Sequence, residues 1–538
     1  MAAPSYATDL TLIDDAEAVA NYSALGGGSA GLSDETDYFV EGTQCVSKAG
    51  FTASTKGMIT NTGTHTVAAG DAIFVWGKQN NRNLMDTVAN GGMQFLIGDS
   101  TTAYDQFYVD GSDSQGSALA GWRTYAVDPT ATPSATTGSP TTTNRVGFLW
   151  KILGSGSLKG NPNAVDITRH GRELQCTNGD GANGYATFDG AASFDADTTR
   201  RWGILTPIAG GYQFHGAFVM GTSGTAVDFR DSDRNIVVLE DPFVASTFNE
   251  FEIRNASSNV EWTNISIQHL GSTSPSTLTL DVGTFTGNGC RFAGFGTTVF
   301  NSSGSCQNST WENSGQITHA GAVLNGSTVR GYTGTANTSA VLYNVAADPD
   351  GEMNNMEFEM GATATHAIEF GTSSPTSITL RGCVFNGYNS TGTNNQNDSI
   401  FHIKRTTGTV TINLVGCSTD ASAFSYRTDG ATVTLVQDPV TTTVKVIDAV
   451  TKSNLQNVRV LLEADTGGPL TAGDDIISGT TDVNGEISDT RTFASNQPVI
   501  GRARLSTTPG SLYKTGDIVG TISSTAGLTV TVQLIPDE

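Results

Sequence analysis

The feature that most constrains this chain is an eight-residue phrase that it contains twice. GCRFAGFG occupies residues 289–296, and GCVFNGYN occupies residues 382–389. Each copy reads Gly, Cys, any residue, Phe, any residue, Gly, an aromatic residue and a small or polar residue. A phrase that recurs within one chain indicates a structural unit that is repeated along the fold.

Weaker copies around these two give the repeat a loose period. The copies are spaced roughly 20 to 30 residues apart and consist of short Thr-, Val-, Ile- and Phe-rich strands, a pattern that fits no leucine-rich or helical repeat. The sequence therefore predicts a right-handed parallel β-helix, in which each turn of the chain stacks on the next. One apolar marker per copy defines the alignment: Ile267, Phe292, Trp311, Val329, Phe358 and Phe385.

The strand alternation predicts which side of the coil each residue faces. Alternate residues of a strand point to opposite faces, so Cys383 and Phe385 are expected inside and Val384 outside. The glycines of the phrase are expected at corners, where φ can be positive. A catalytic role for the repeated cysteine is the alternative, but the residues around it differ between copies and no His follows in register. The phrase is therefore interpreted as a folding unit.

The cysteines predict no metal or cofactor site. None forms a CxxC pair or lies near a His at metal-ligand spacing, so buried free thiols are expected. A disulfide between Cys290 and Cys306, one turn apart, is geometrically allowed, but a reducing cytoplasm disfavours it. The cysteines are Cys45, Cys176, Cys290, Cys306, Cys383 and Cys417.

The regions on either side of the coil predict two β-sandwiches. Residues 40–155 contain evenly spaced short apolar strands, typical of a jelly-roll-like antiparallel sandwich. Trp76, Trp122 and Trp150 fall within these strands and are expected in the core, with sugar-binding platforms as the alternative. The resulting fold class is all-β, with an N-terminal jelly-roll-like sandwich, a central β-helix over residues 156–438 and a small C-terminal sandwich.

The C-terminal residues 439–538 carry the turn TTDVNGEISDT, which places Asp482, Asn484 and Gly485 in a tight hairpin. This segment resembles the transthyretin-like or carboxypeptidase-regulatory-like sandwich, which implies a passive spacer or adhesion module. A Ca²⁺ site at Asp482 and Asn484 is the alternative, although the pattern falls short of an EF-hand loop.

Charge and hydropathy exclude two classes of partner. The chain has 28 Lys+Arg against 52 Asp+Glu and a net charge of -24, which argues against binding to nucleic acid or to an anionic membrane surface. The first residues, MAAPSYATDLTLIDDAEAV, lack a basic and apolar signal segment, and no run approaches the ~18 apolar residues of a membrane span. Synthesis in the cytoplasm without a signal peptide, and no membrane insertion, are therefore expected.

One acid pair could carry hydrolysis on the outer face of the coil. Glu357 and Glu359 lie two residues apart on one strand, so their Cα atoms are about 6.6 Å apart, a spacing compatible with inverting glycosidases. Met356, Phe358 and Met360 alternate with them and should take the inside, which leaves the glutamates on the solvated face. No basic or aromatic neighbour would hold a sugar or shift a pKa. The pair is kept only as a weak catalytic alternative.

The densest charge cluster is DFRDSDRN at residues 228–235. Its alternating signs predict a self-paired, capping or inter-subunit surface, with a cation site at Asp228, Asp231 and Asp233 as the alternative. The histidines are scattered; His366 and His402 are expected at similar strand positions of successive turns, in a structural role. No catalytic triad, phosphate loop or zinc signature is present.

Several passages resemble virion proteins of tailed bacteriophages: GWRTYAVDP, KGNPNAVDITRHGR, AVDFRDSDRNIVV and FNEFEIRNASSNVEWTNISI. The resemblance implies a tail fibre or spike, or a head fibre or decoration protein, with residues 1–39 as a virion-anchoring segment. It implies a homotrimer that binds other virion proteins and contacts host-surface polysaccharide. The resulting prediction is a non-enzymatic structural component of the virion. The alternatives are a β-helix polysaccharide depolymerase and a bacterial surface adhesin.

Overall fold

The computed structural model describes residues 2–26, 31–48, 55–61, 65–79, 85–114, 121–142, 144–152, 163–197, 201–239, 241–271, 275–437, 440–493, 495–505, 512–524 and 526–537. The chain forms two compact units, Met1–Val323 and Leu324–Glu538, and each is taken by itself. No helix in the described ranges is long and apolar enough to cross a membrane.

The first unit begins with an antiparallel sandwich. One sheet has the order β10-β7-β13-β5-β4 with β2 also paired to β13, and the other has the order β11-β9-β8-β12-β6-β3. The strands up to residue 171 are β1 Ser5–Thr8, β2 Thr11–Asp14, β3 Tyr22–Leu25, β4 Leu32–Glu35, β5 Cys45–Lys48, β6 Thr55–Thr60, β7 Ala72–Gln79, β8 Met93–Ser100, β9 Ala103–Asp110, β10 Gly121–Val127, β11 Ala135–Thr137, β12 Arg145–Lys151 and β13 Asn163–Gly171.

Alternation along the strands builds the sandwich core. In β12, Val146, Phe148 and Trp150 point the same way into the space between the sheets, where all three are buried. Tyr125 of the opposite sheet meets Phe148 edge to face, with ring centroids 5.8 Å apart. Trp76 and Trp122 pack in a separate cluster on the other face of the first sheet, so of the three tryptophans Trp150 alone belongs to the core between the sheets.

The strand pairing differs from the predicted domain boundaries at two points. Strands β3 and β4 come from the segment 1–39 but pair with β6 and β5 of the sandwich, and β13 at residues 163–171 pairs with β7. The strands YSAL and LSDE are short and lack a strong apolar alternation, which is why the sequence pattern misses them. The predicted breaks after residues 155 and 438 fall on residues outside the described ranges.

The first unit continues as a parallel coil. After β16, each turn contributes one strand to each of three parallel sheets, ordered β14-β17-β20-β23-β26-β29, β18-β21-β24-β27 and β16-β19-β22-β25-β28. The elements are β14 Glu173–Thr177, α1 Phe188–Asp195, β15 Leu205–Ile208, β16 Gly211–Phe214, β17 Ala217–Met220, β18 Asp228–Ser232, β19 Asn235–Val238, β20 Glu250–Ile253, β21 Asn259–Thr263, β22 Ser266–His269, β23 Thr277–Leu280, β24 Thr284–Asn288, β25 Arg291–Ala293, β26 Thr297–Phe300, β27 Ser305–Gln307, β28 Thr310–Glu312 and β29 Ile317–Thr318.

The inside of this coil is the ladder that the sequence alignment predicts. Ile267, Phe292 and Trp311 are register partners on β22, β25 and β28, and all three are buried. The helix α1 closes the apolar interior at the start of the coil, because Phe188 meets the Phe229 ring at a centroid distance of 4.9 Å. Its first turn is capped by the Thr187 side chain, which accepts the Gly190 N–H.

The second unit opens with further turns of the same kind. The parallel sheets are ordered β31-β33-β36-β39, β30-β32-β35-β38 and β34-β37-β40. Val329, Phe358 and Phe385 are register partners, as the markers predict. The strands are β30 Thr328–Arg330, β31 Ser339–Tyr343, β32 Glu357–Glu359, β33 His366–Phe370, β34 Ser377–Arg381, β35 Val384–Asn386, β36 Phe401–Ile403, β37 Thr409–Val415, β38 Ser418–Thr419, β39 Tyr426–Thr428 and β40 Thr432–Gln437.

The repeated phrase takes the predicted conformation in both copies. The two glycines that both copies share have positive φ: Gly289 and Gly294 at 65° and 74°, and Gly382 and Gly387 at 64° and 81°. Because a left-handed backbone disfavours other residues, each glycine fixes a corner at which the coil changes direction. The cysteine and phenylalanine of each copy are buried, which confirms the predicted inside and outside faces.

The second unit ends in a small sandwich, as predicted. Its sheets are ordered β44-β41-β48 and β43-β42-β45-β47, with a short β46–β49 pair. The core between them includes Val444, Val446, Val460 and Leu462. The strands are β41 Val440–Asp448, β42 Arg459–Ala464, β43 Asp475–Thr480, β44 Glu486–Arg491, β45 Gln497–Arg504, β46 Leu512–Tyr513, β47 Gly516–Ile522, β48 Leu528–Leu534 and β49 Pro536–Asp537. The all-β fold class, with two sandwiches flanking a β-helical body, is confirmed.

The TDVNG turn is stabilised by its own backbone. The Asp482 carboxylate accepts N–H bonds from Asn484 and Glu486 at 2.8 and 2.9 Å, and Gly485 has a φ of 71°. Among the described residues no group of three His, Cys, Asp or Glu side chains is arranged to hold a metal ion. The Asp482 carboxylate therefore closes the hairpin.

Candidate active site on the outer face of the coil

The predicted acid pair lies where the sequence places it. Glu357 and Glu359 are exposed on β32, and Phe358 between them is fully buried. Glu359 has Arg330 of β30 and Asn386 of β35 as its register partners, so a basic residue does lie beside the pair, contrary to the expectation from the sequence. The Asn386 amide reaches Glu357 at 3.5 Å. The pair lies on an exposed strand surface, and its catalytic role stays a prediction.

The cluster at residues 228–235 is self-paired, as its charge pattern predicts. Arg230 contacts Asp228 at 3.2 Å, and Arg234 contacts Asp231 at 3.0 Å. Asp231 also accepts the backbone N–H of Phe188 at 2.7 Å, so it holds the first turn of α1 against the coil.

The cation alternative at Asp228, Asp231 and Asp233 is not supported by these contacts. Two of the three carboxylates are taken by arginines, and Asp233 accepts the Asn264 amide at 2.9 Å. The described residues contain no metal-holding group of His, Cys, Asp or Glu here or elsewhere. The described contacts show that this cluster fastens the helix that closes the coil, and the cation alternative stays a prediction.

A different cluster arises where outward residues of successive turns come into register. Glu369 on β33, His402 on β36 and Arg427 on β39 are consecutive register partners, and Leu342 on β31 precedes them. Their neighbours on each strand, such as Phe370 and Ile403, point inward and are buried. The alternation thus places an acid, an imidazole and a guanidinium in one column on the outer face.

The imidazole of His402 lies between two carboxylates. Its Nε2 is 3.1 Å from Asp429, and its Nδ1 is 3.7 Å from Glu369. Lys404 adds a cation 3.6 Å from the other Asp429 oxygen. The His402 side chain is 1% exposed, whereas Glu369 and Asp429 are 17% and 36% exposed. The ring is therefore enclosed, and the two acids reach solvent on either side of it.

A second imidazole fixes the position of the first. The His366 and His402 ring centroids are 4.8 Å apart. Nδ1 of His366 donates to the Ser399 carbonyl at 2.6 Å, and Nε2 faces the Asn337 amide at 3.0 Å. Burial, reinforced by the neighbouring cationic groups, lowers the pKa of His366 to about 4. His366 is therefore neutral at pH 7 and supports His402 by packing rather than by charge.

The charges around Asp429 keep it ionised. Burial alone would raise its pKa, but the hydrogen bond from His402, with the charges of His402 and Lys404, holds the pKa below its usual range. An ionised carboxylate next to an imidazole can accept a proton, and the second carboxylate at Glu369 can donate one when it is protonated. The cluster thus contains the parts of an acid–base site.

The asparagine-rich segment at residues 394–397 covers one edge of the cluster. Asn397 accepts from the Arg427 guanidinium at 2.5 Å, and the Asn395 backbone N–H donates to the Tyr426 carbonyl at 2.7 Å. The segment therefore pairs along β39 and fixes the Arg427 side chain beside His402.

The sequence contains a signal for this site in the alignment of successive turns. His366 and His402 are adjacent across turns, as expected, but histidine position alone predicts a structural role for both and does not single out Glu369 or Asp429. Aligning HAIEF with FHIK and YRTD places Glu369, His402 and Arg427 in one column, which would have indicated the cluster.

The first unit holds another imidazole–carboxylate pair, of a different kind. His215 Nδ1 lies 2.7 Å from Asp241, with side-chain exposures of 0% and 3%. Because neither side chain reaches solvent, this pair is a buried contact of the first unit.

Comparison with known proteins identifies solved structures only. Protein-family models and curated protein sequences give no match. Among the matching structures is the catalytic domain of a GH87 α-1,3-glucanase in complex with nigerose, with 10% identity and a TM-score of 0.17, covering 79% of this chain and 96% of that one. Another is the catalytic unit of a thermostable GH87 α-1,3-glucanase from Streptomyces thermodiastaticus, with 11% identity and a TM-score of 0.18, covering 81% of this chain and 95% of that one.

These matches contradict the prediction that the chain is not an enzyme. They are catalytic domains of glycoside hydrolases, and the non-enzymatic interpretation is withdrawn for that reason. At such TM-scores the likeness assigns no substrate and no catalytic residue to this chain. The class of protein that the structure itself defines is an all-β protein with a parallel β-helical body.

Proposed function

We propose that this chain is a β-helical polysaccharide depolymerase that hydrolyses glycosidic bonds with Glu369, His402 and Asp429. The observation that carries the proposal is the imidazole of His402 enclosed between two solvent-reaching carboxylates on the outer face of the coil. Outer faces of parallel β-helices form long surfaces on which an extended polymer can lie. An acid, a base and a group that positions them on such a surface suit hydrolysis of a glycan chain.

In the proposed reaction one carboxylate acts as the general base and the other as the general acid. Asp429, kept ionised by His402 and Lys404, takes a proton from the attacking water. Glu369, in its protonated form, gives a proton to the leaving glycosidic oxygen as the bond breaks. The water oxygen forms the new bond to the sugar. His402 holds the base in place through its Nε2–H, and the two carboxylates, which both reach solvent, recover their starting protonation states by exchange with water after each cycle.

The two carboxylates stand on opposite sides of one imidazole ring. Retaining glycosidases hold their acids about 5–5.5 Å apart, whereas inverting enzymes use about 6.5–9.5 Å to leave room for a water. A ring between the acids favours the wider spacing. We therefore infer an inverting mechanism, which proton NMR of the first product anomer would test.

The activity is tested by release of reducing sugar from purified bacterial surface polysaccharides. Glu369→Gln and Asp429→Asn should each lower kcat by 100-fold or more, and Glu463→Gln in the C-terminal sandwich should leave it unchanged. Glu357→Gln and Glu359→Gln examine the acid pair singled out in the sequence. If Glu357→Gln and Glu359→Gln abolish activity while Glu369→Gln and Asp429→Asn do not, the site lies on β32 and the present assignment fails.

We also propose that the protein is carried on a tailed-phage particle, as a homotrimer that contacts other virion proteins and meets host-surface polysaccharide. The support is the resemblance of passages such as GWRTYAVDP and AVDFRDSDRNIVV to phage virion proteins. Immunogold labelling of purified particles would test this location. Particles that carry no label would contradict the proposed location on the virion and would leave the catalytic proposal unaffected.

A further inference from the structure

The second unit contains a cleft that the proposed active site does not use. It has a volume of about 700 Å³ and lies where the last coil strands meet the C-terminal sandwich. One wall comes from Leu414–Thr419 and Phe424, and the other from the start of β41, the turn at Ser495 and Asn496, and the start of β48. Small-molecule sites in proteins have volumes of about 300–1,000 Å³, so this cleft has the size of a binding site.

The side chains of the cleft are polar but uncharged. No Asp, Glu, Lys, Arg or His lines it among the described residues. Hydroxyl and amide groups prevail, including Ser418, Thr419, Gln437, Asn496 and Thr529. This differs from the rest of the chain, whose net charge is -24.

Several of these polar groups are open to a ligand. The side chains of Ser418, Gln437 and Thr529 make no hydrogen bond to another described residue, whereas the Asn496 amide oxygen accepts the Ser524 N–H at 3.0 Å. Ser418 and Thr529 are exposed, and Gln437 is half-buried. The donors and acceptors that remain are neutral and lie on both walls of the cleft.

The lining of the cleft also includes apolar side chains. Phe424, Leu414 and Val440 contribute carbon surface between the polar groups. A sugar ring presents hydroxyls at its rim and C–H groups on its face, so it matches such a mixture. A charged ligand would lose hydration without finding a countercharge, and an anionic one would also be repelled by the acidic chain.

We infer that this cleft binds a short segment of a neutral polysaccharide, separately from the proposed catalytic cluster. The inference deepens the proposed function, since it adds a substrate-holding site and the class of glycan that it accepts. A polysaccharide held there would remain attached to the protein while other parts of the polysaccharide are cleaved.

Binding is tested by calorimetry on the full chain, with maltotetraose, cellotetraose and laminaritetraose as neutral probes and tetragalacturonate as the charged one. At least one neutral probe should bind, and tetragalacturonate should not. Thr529→Trp should fill the cleft and weaken that binding by tenfold or more. Thr531→Trp is the matched control, because Thr531 lies on the same strand and face, is equally exposed and does not line the cleft.

The outcomes separate this inference from the catalytic proposal. Asp429→Asn should keep the calorimetric binding, because the residue does not line the cleft. Binding that Thr529→Trp leaves unchanged, equal binding of tetragalacturonate, or no binding by any neutral probe would overturn the inference. If binding is lost in Thr529→Trp but no polysaccharide is hydrolysed by the parent protein, the cleft stands and the catalytic proposal falls.

Discussion

Phe358 and Phe385 stack face to face on consecutive turns of the coil, with ring centroids 5.2 Å apart and ring planes 7° apart. Both are fully buried, and Phe401 meets Phe385 edge to face at 5.3 Å. Each turn therefore buries its aromatic residue against the turns on either side. The stability of the coil rests on this inner ladder, since the strands themselves are only a few residues long.

Phe385→Ala should lower the free energy of unfolding by about 3–5 kcal/mol, because it removes a large buried side chain and leaves a cavity that neighbouring turns cannot fill. Urea denaturation followed by tryptophan fluorescence would measure the change. Asn386→Ala, the next residue on the outer face, should shift the midpoint little. Equal effects of the two substitutions would contradict the assignment of inner and outer faces.

The thiols provide a second test of the same faces. All six cysteines are free and buried, so a thiol reagent should label none of them quickly in the native protein and all of them after denaturation. A hydrogen bond with Cys417, together with burial, raises the pKa of Cys383 well above its ordinary value. Cys417 is 6% exposed and lines the cleft, so it should be the first of this pair to react. Mass spectrometry of partly labelled protein would give the order, and prior labelling of Cys383 would contradict it.

The effect of Cys383→Ser changes once the structure is known. The alternation alone predicts a loss of about 1–3 kcal/mol, because a buried hydroxyl would lack a partner. The thiol in fact donates to the Met353 carbonyl at 3.1 Å, and a serine hydroxyl can do the same. We therefore expect a cost of about 1 kcal/mol, at the lower end of that range. A cost of about 3 kcal/mol in urea denaturation would indicate that the serine does not reach Met353.

Acid should destabilise the coil through His366. Its pKa is lowered by burial from 6.5 to about 4, so the folded state favours the neutral ring. The contribution of neutral His366 to the free energy of unfolding is full above pH 6.5. It is lost as the pH falls from 6.5 toward 4, because in this range the imidazole is protonated in the unfolded chain but not in the folded one. The loss should be on the order of 3 kcal/mol, because each unit of pKa difference corresponds to about 1.4 kcal/mol. His366→Asn should flatten the decline of urea midpoints between pH 7 and pH 4, and an unchanged slope would contradict the assignment.

The sequence predicts the inner face better than the outer one, for a physical reason. Alternation is local, so the burial of Phe292, Trp311 and Phe385 follows from each strand alone. Which outward residues become neighbours depends on the number of residues in every intervening turn, because insertions shift the register. Glu369 and His402 are adjacent although more than thirty residues of chain separate them. Asp429 reaches the same ring from beyond the end of β39, which no strand pattern indicates.

The contribution of His402 to catalysis can be separated from its contribution to folding by the pH profile. His402→Gln removes the imidazole that helps to hold the Asp429 pKa down, so that pKa should rise. The base would then be protonated at a higher pH, and the acidic limb of the kcat profile should move toward neutral pH while KM changes little. Lys404→Gln removes the ammonium group beside Asp429 and should move the limb in the same direction by a smaller amount. A purely structural role for His402 would lower the amount of folded protein and leave the limb where it is. Thermal unfolding of both variants measures that loss, and an unmoved limb in well-folded His402→Gln protein would show that Asp429 is not the base.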